Sequence, residues 1–244
     1  MSNMIIEHID TLYLPPTKNR AGNTKAPNDT RYIYSIRNHM FDHPVIMISD
    51  AHSHTQSIID YLVNNYDLSK YIILTTGDMA GEHLYGSDGV PTEFYKLFLE
   101  HGNSFYFVQG NHDLPDENKE CNTLKNKNGL RCMIHGQLSK IPLGRIGGVN
   151  GIISSKKKHH PYKILEDTYL GYLDKYIGQC LNVLLIHDTP KHSDQVIGKE
   201  EIWKRVKKIR PNVCVYGHCH HSEPYYFIDG IHLFCADSRV LIFE

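Results

Sequence analysis

Five short apolar runs in this 244-residue chain each end in residues able to bind metals or carry protons. Val45-Ile46-Met47-Ile48 leads into Ser49-Asp50-Ala51-His52, and Tyr71-Ile72-Ile73-Leu74 leads to Gly77-Asp78. Phe105-Tyr106-Phe107-Val108 precedes Gly110-Asn111-His112-Asp113. Val183-Leu184-Leu185-Ile186 precedes His187-Asp188, and Val213-Cys214-Val215-Tyr216 precedes Gly217-His218-Cys219-His220. The donors collected at these ends are Asp50, His52, Asp78, Asn111, His187, His218 and His220. Carboxylates, imidazoles and one amide oxygen, without a thiolate, suit Mn, Fe, Zn or Ni rather than Ca or Mg. Seven donors are too many for one transition ion. They suit two ions about 3.5–4 Å apart, bridged by a carboxylate.

Something must gather groups so distant in sequence. The five runs are short, rich in β-branched and aromatic residues, and free of polar alternation, which predicts strands buried on both faces. Between them, Ile58, Ile59, Leu62 and Val63 recur at helical spacing, as do Phe94, Leu97 and Phe98 behind Pro91. Further helices are predicted over about 162–176 and 202–209. Alternating strands and helices imply a largely parallel sheet, whose carboxyl edge forms the crevice where ligands bind. Taken singly, each ending has a bland alternative: Gly77-Asp78 as a helix cap or turn, His187 as a structural histidine, Gly217–His220 as a surface turn. Their joint placement carries the argument. Tyr32–Ile36 reads as an edge strand, Ile146–Ile153 as a strand broken by glycine, and three short strands end the chain at Tyr225–Ile228, Ile231–Cys235 and Val240–Phe243.

The length allows one large α/β domain, here residues 31–244, preceded by an arm or loop over 1–30 and interrupted by a surface insertion at 114–140. With 41% hydrophobic and 22% charged residues and a formal net charge of −1, the composition offers no basic surface for nucleic acid. The six cysteines are scattered without a CxxC pair, arguing against a zinc ribbon or a disulfide scaffold. Cys214 and Cys235 lie in apolar runs and read as small core residues. No run approaches the roughly 20 apolar residues that span a bilayer, and residues 1–10 lack a signal-peptide core. The expectation is a soluble, cytoplasmic protein.

In order and spacing, Asp50-Ala51-His52, Gly77-Asp78, Gly110-Asn111-His112-Asp113, His187 and Gly217-His218-Cys219-His220 resemble the motif series of the calcineurin-like metallophosphoesterases. The resemblance covers about residues 44–240. It implies a four-layer α/β/β/α sandwich, two mixed β-sheets flanked by helices. It further implies that Asp50, His52 and His220 hold one metal, that Asn111, His187 and His218 hold the other, and that Asp78 bridges them. His112 would stand just outside the metals to protonate the leaving oxygen, oriented by Asp113. The cofactors implied are two divalent or mixed-valence transition-metal ions, Mn favoured over Fe, Zn and Ni. Such a pair lowers the pKa of a bridging water toward neutrality, so that a hydroxide can attack the phosphorus.

Where the family's protein Ser/Thr phosphatases carry Arg, four residues after the Gly-Asp carboxylate, this chain has Glu82; a second Arg position, after Gly-Asn, is His112. Their usual Glu is Asp113 here. Without the first Arg, a bidentate grip on a phosphomonoester dianion is missing. The expected substrate is therefore a small phosphodiester or a nucleotide. A protein phosphatase or other phosphomonoesterase is the alternative, and a non-catalytic scaffold, as in the retromer subunit resembling these enzymes, the remote one. Substrate choice would lie in loops 79–90, 114–140 and 154–162. The run Lys156–His160 reads as a solvated loop, and Cys219 as a side chain turned into the core.

Overall fold

Side chains alternate between two apolar layers along every central strand, and that alternation builds the molecule. The computed structural model describes residues 4–13, 30–37, 40–80, 88–101, 104–115, 136–155, 160–219 and 221–244. In chain order the elements are β1 (Ile5–Tyr13), β2 (Thr30–Arg37), β3 (Val45–Ser49), α1 (Thr55–Asn65), β4 (Ile72–Thr75), α2 (Thr92–His101) and β5 (Ser104–Phe107). Then come β6 (Leu138–Ile141), β7 (Gly144–Val149), β8 (Ile152–Ile153), β9 (Lys163–Ile164), α3 (Glu166–Asp174) and β10 (Val183–Ile186). The last are α4 (Glu200–Ile209), β11 (Val213–Tyr216), β12 (Tyr225–Ile228), β13 (Ile231–Cys235) and β14 (Arg239–Phe243).

Two six-stranded mixed sheets result, ordered β1-β2-β14-β3-β4-β5 and β12-β13-β11-β10-β7-β6, with β8 and β9 pairing separately. Val45, Met47, Ile72 and Leu74 from the first sheet meet Val183, Leu185, Val213 and Val215 from the second in a middle apolar layer. The intervening residues Ile46, Ile48 and Ile73 pack outward on Ile58, Ile59 and Leu62 of α1 and on Tyr95 and Phe98 of α2. Leu184, Ile186, Cys214 and Tyr216 pack outward on Tyr169 and Leu173 of α3 and on Ile202, Trp203 and Val206 of α4. The architecture is thus the four-layer α/β/β/α sandwich. Each fully buried aliphatic or aromatic side chain contributes about 1.5–3 kcal/mol, so strands with two buried faces hold their register firmly.

Helix α4 shows the local logic. Ile202, Trp203, Val206 and Ile209 bury one stripe, while Glu200 and Glu201 in the first turn and Lys207 and Lys208 in the last complement the helix dipole. Three expectations need correction. Residues 5–13, read within an N-terminal arm, form strand β1, antiparallel to β2 and largely exposed on its side chains. Consequently β2 is no edge: it lies between β1 and β14. Leu138–Ile141, at the end of the expected insertion, pairs with β7 as an edge strand of the second sheet. Residues 14–29 and most of 114–140 lie outside the described residues. Among the described residues, no helix is long and apolar enough to cross a membrane.

Candidate metal centre

Parallel strands β3, β4 and β5 end side by side, with Ile48 paired to Thr75 and Thr75 to Phe107. Across the middle layer, parallel β10 and β11 bring His187 and Gly217 to the same edge. The turns leaving these strands are sharp. Asp50, His52, Asp78 and His218 all have positive φ, between 47° and 72°, half of the eight non-glycine residues in that region among those described. Such backbone costs about 1–3 kcal/mol per residue and persists only where surroundings enforce it. Here the Asp50 amide donates to Gly77 O at 3.0 Å, and the His52 amide donates to Asp78 O at 2.9 Å. Two glycines are needed for close approach rather than for φ. A Cβ on Gly110 would fall on the Asp78 side chain, and one on Gly217 would fall on Ser49 Oγ and Asp50 Oδ2.

The side chains converge. His187 Nε2 lies 3.2 Å from both Asp78 Oδ2 and Asn111 Oδ1, and His52 Nε2 lies 3.9 Å from Asp78 Oδ2. His187 Nδ1 lies 2.7 Å from Thr76 O, so this nitrogen carries a proton and Nε2 is the one available for a metal. Asp50 Oδ2 accepts the Ser49 hydroxyl at 2.5 Å and the His218 amide at 3.0 Å. Two sets of donor atoms lie within 4.8 Å of one another: Asp50, His52 and Asp78 form one, and Asp78, His187 and His218 the other. Asp78 belongs to both.

Charge follows from this packing. Burial, with Asp237 beside it, pushes Asp50 up to about 7. Burial would raise Asp78 too, yet the neighbouring His187 holds it well below the usual carboxylate range. His187 goes the other way, up to about 10: burial opposes its charge, but Asp78 and Asp50 overcome it. Burial lowers His52, and lowers His218 to about 4. Buried carboxylates concentrated around imidazoles of fixed orientation, of which His187 must give up its extra proton to ligate, are a donor set that fits transition-metal ions.

Of the seven expected ligands, the structure brings together Asp50, His52, Asp78, Asn111, His187 and His218, while His220 lies outside the described residues. Asp113 needs correction. It does not touch the His112 ring; its carboxylate accepts the amides of Asp78 (2.9 Å), Met79 (3.0 Å), Ala80 (3.1 Å) and Gly110 (2.8 Å). A buried acid with four backbone donors shapes the turns around Asp78. The His112 amide donates to Asp78 Oδ1 at 2.7 Å, and its ring Nδ1 lies 3.1 Å from Asp88 Oδ1.

Several contributors had no strong signal in the sequence. Asp88 sits in a glycine-rich loop, and His160 closes a basic run, yet its side chain is only 10% exposed. Arg239 donates to the carbonyls of His221, Ser222 (3.3 Å) and Asp237 (2.9 Å), fastening the loop that follows His218. Arg31 Nη2 donates to Ala51 O at 3.4 Å, behind the Asp50–His52 turn. Arg31 lies in strand β2 and Arg239 opens strand β14, both buried, and nothing in their sequence setting marks that. Burial raises the Cys219 thiol, which disfavours its thiolate form in the metal-free fold. Glu82 and residues 156–159 lie outside the described residues.

Comparison with known proteins agrees with this geometry. The sequence profile of the calcineurin-like phosphoesterases matches residues 43–222. The crystal structure of the Thermus thermophilus protein TT1561 superposes with a TM-score of 0.59 at 14% identity, over 80% of this chain and 90% of that one. At that identity the likeness shows the fold alone. A Streptococcus pneumoniae protein described as a predicted phosphoesterase gives a TM-score of 0.35 at 14% identity, over 79% and 71% of the two chains. Vacuolar Protein Sorting 29 of Cryptosporidium parvum gives 0.39 at 14% identity, over 80% and 74%. No curated protein matches the chain.

Proposed function

Because this chain belongs to the calcineurin-like phosphoesterase family, we propose that it hydrolyses phosphoesters at a two-metal centre, with phosphodiesters or nucleotides as preferred substrates. The observation that carries the reading is the sharing of Asp78 between two donor groups. Asp50, His52 and Asp78 would hold one ion, with His220 completing the set. Asp78, Asn111, His187 and His218 would hold the other. Metals bound there supply a water of lowered pKa and neutralise charge on the phosphate oxygens. Mn fits the mixed N/O donors best, with Fe, Zn or Ni as the alternatives.

The chain's own residues do the rest. His187 is oriented through Thr76, and Asp50 through Ser49 and the His218 amide, so neither reorganises when charge develops. His112 rides on an amide tied to Asp78, which fixes its backbone beside the centre without making it a ligand. Its Nδ1 is occupied by Asp88, which leaves Nε2 to give a proton to the leaving oxygen. Asp113 serves by holding the turns, not the imidazole.

The preference for diesters rests on Glu82 standing where the protein phosphatases have Arg. Purified protein with added Mn, assayed against phosphomonoesters, phosphodiesters and cyclic nucleotides, tests it. Aryl diesters should turn over at least as well as aryl monoesters. Robust dephosphorylation of phosphoserine peptides without diester cleavage would move the chain to the phosphatases, and no turnover of any ester would leave a scaffold.

A further inference from the structure

Asp88 has a second imidazole on its far side. Its Oδ1 meets His112 Nδ1 at 3.1 Å, and its Oδ2 lies 3.8 Å from Nε2 of His160. We propose that His160 and Asp88 are positioning residues for His112, with His160 fixing the carboxylate that in turn fixes the proton donor. What His112 does chemically rests on the phosphoesterase reading above; the arrangement of the three residues does not.

The backbone holds Asp88 at this place. The Gly89 amide donates to His112 O at 2.9 Å, the Leu114 amide donates to Gly89 O at 2.6 Å, and Gly89 and Asp113 form an isolated parallel bridge. Asp88 therefore moves with the His112 turn. His160 comes from a different frame. The Lys163 amide donates to His160 O at 3.1 Å, and the Ile152 amide donates to Tyr162 O at 2.8 Å, which ties this turn to β8. Next along β8, the Ile153 amide donates to Asp188 Oδ2 at 2.8 Å, directly beside the ligand candidate His187. The carboxylate thus lies between the His112 turn and the turn tied to β8.

The tautomer of His160 gives the contact its sense. Its Nδ1 accepts the Tyr162 amide at 3.3 Å, so the proton of the neutral ring sits on Nε2 and faces Asp88 Oδ2. That Nε2 is buried and has no hydrogen-bond partner. A buried donor left without a partner is unfavourable, so closing the 3.8 Å gap is favourable. Hydrogen bonds at reacting groups are often long in free enzymes and shorten when substrate is bound. The trio is also no third metal site: among the described residues, only the two groups sharing Asp78 bring three donors within 4.8 Å of one another.

Leaving-group dependence separates positioning from mere structure. Against a series of aryl phosphodiesters, Asp88→Asn should lower turnover of poor leaving groups about 10–100-fold, with nitrophenolate release little changed and KM preserved. His160→Phe, which keeps volume but removes the donor, should act the same way by about tenfold, and His160→Gln, which restores a donor, should recover most of it. The double variant with Asp88→Asn should be no worse than Asp88→Asn alone, because His160 acts through Asp88. An independent readout is the ring-proton NMR spectrum of metal-free protein. The His112 Nδ1–H signal should be lost in Asp88→Asn and shifted in His160→Phe. Equal slowing of good and poor leaving groups, additive losses, or an unshifted His112 signal in folded His160→Phe would overturn the proposal. If wild-type protein cleaves no phosphoester, the functional reading fails while the NMR comparison still decides the relay.

Discussion

Gly110→Ala places a methyl group where the centre's shared carboxylate sits. The new Cβ would lie 2.5 Å from the Asp78 amide nitrogen and 2.6 Å from its Cγ, about 1 Å inside ordinary contact. Overpacking of this kind costs about 1–3 kcal/mol, which for a domain of this size is a drop in Tm of roughly 2–12 °C. Stability alone would not distinguish this glycine from others. Gly147→Ala is the control, since its Cβ would press on the ring of Tyr176 rather than on a ligand candidate. Both variants should melt earlier. Only Gly110→Ala should also lose metal, by tenfold or more in affinity for both ions, because displacing Asp78 disturbs both donor groups. Thermal melts and elemental analysis after desalting measure the two effects. A Gly110→Ala protein that melts early but holds wild-type metal would refute the reasoning.

Metal uptake should expel a proton, because His187 is held up to about 10 in the metal-free fold and must be neutral to ligate. Apparent affinity should therefore rise about tenfold per pH unit between pH 7 and 9, with matching proton release by calorimetry in two buffers; pH-independent binding would contradict it. In the metal-free protein the sign is set by the raised pKa: the His187 charge stabilises fully below the unfolded imidazole's pKa and is lost as pH rises toward 10. His192 behaves oppositely. Burial, with His221 nearby, lowers it to about 4, while its Nε2 lies 3.0 Å from Tyr216 OH. The unfolded chain takes up this proton first, so stability should fall by on the order of 1–3 kcal/mol from pH 6.5 to 4. His192→Gln should flatten that slope in urea midpoints at the two pH values, and an unchanged slope would count against it.

The strands that carry the ligands were legible because each is buried on both faces and so reads as an unbroken apolar run. Val183–Ile186 and Val213–Tyr216 have the same bounds in sequence and structure. Strand β1 was not legible, since most of its side chains are exposed and only Ile6 and Leu12 reach the apolar layers, which leaves pairing with β2 as its main tie. The helix expected from residue 162 starts at Glu166, because Lys163 and Ile164 are drawn into pairing with β8. Ligand candidates announce themselves at strand ends by residue type. Asp113, Asp88 and His160 do not, because their partners are distant backbone amides and one another. Asp113 stands next to His112 in sequence, yet its oxygens go to amides more than 30 residues away as well as to Gly110.

Metal stoichiometry of wild-type protein beside Asp78→Asn tests the shared carboxylate most directly. The amide keeps the size and the oxygen that accepts the His112 amide, but it cannot balance two cations at once. Elemental analysis after Mn reconstitution should give two metals per wild-type chain. The folded Asp78→Asn protein should lose both together and lose phosphoesterase turnover with them. One metal per wild-type chain, or two metals retained by Asp78→Asn with normal turnover, would contradict a centre built around Asp78.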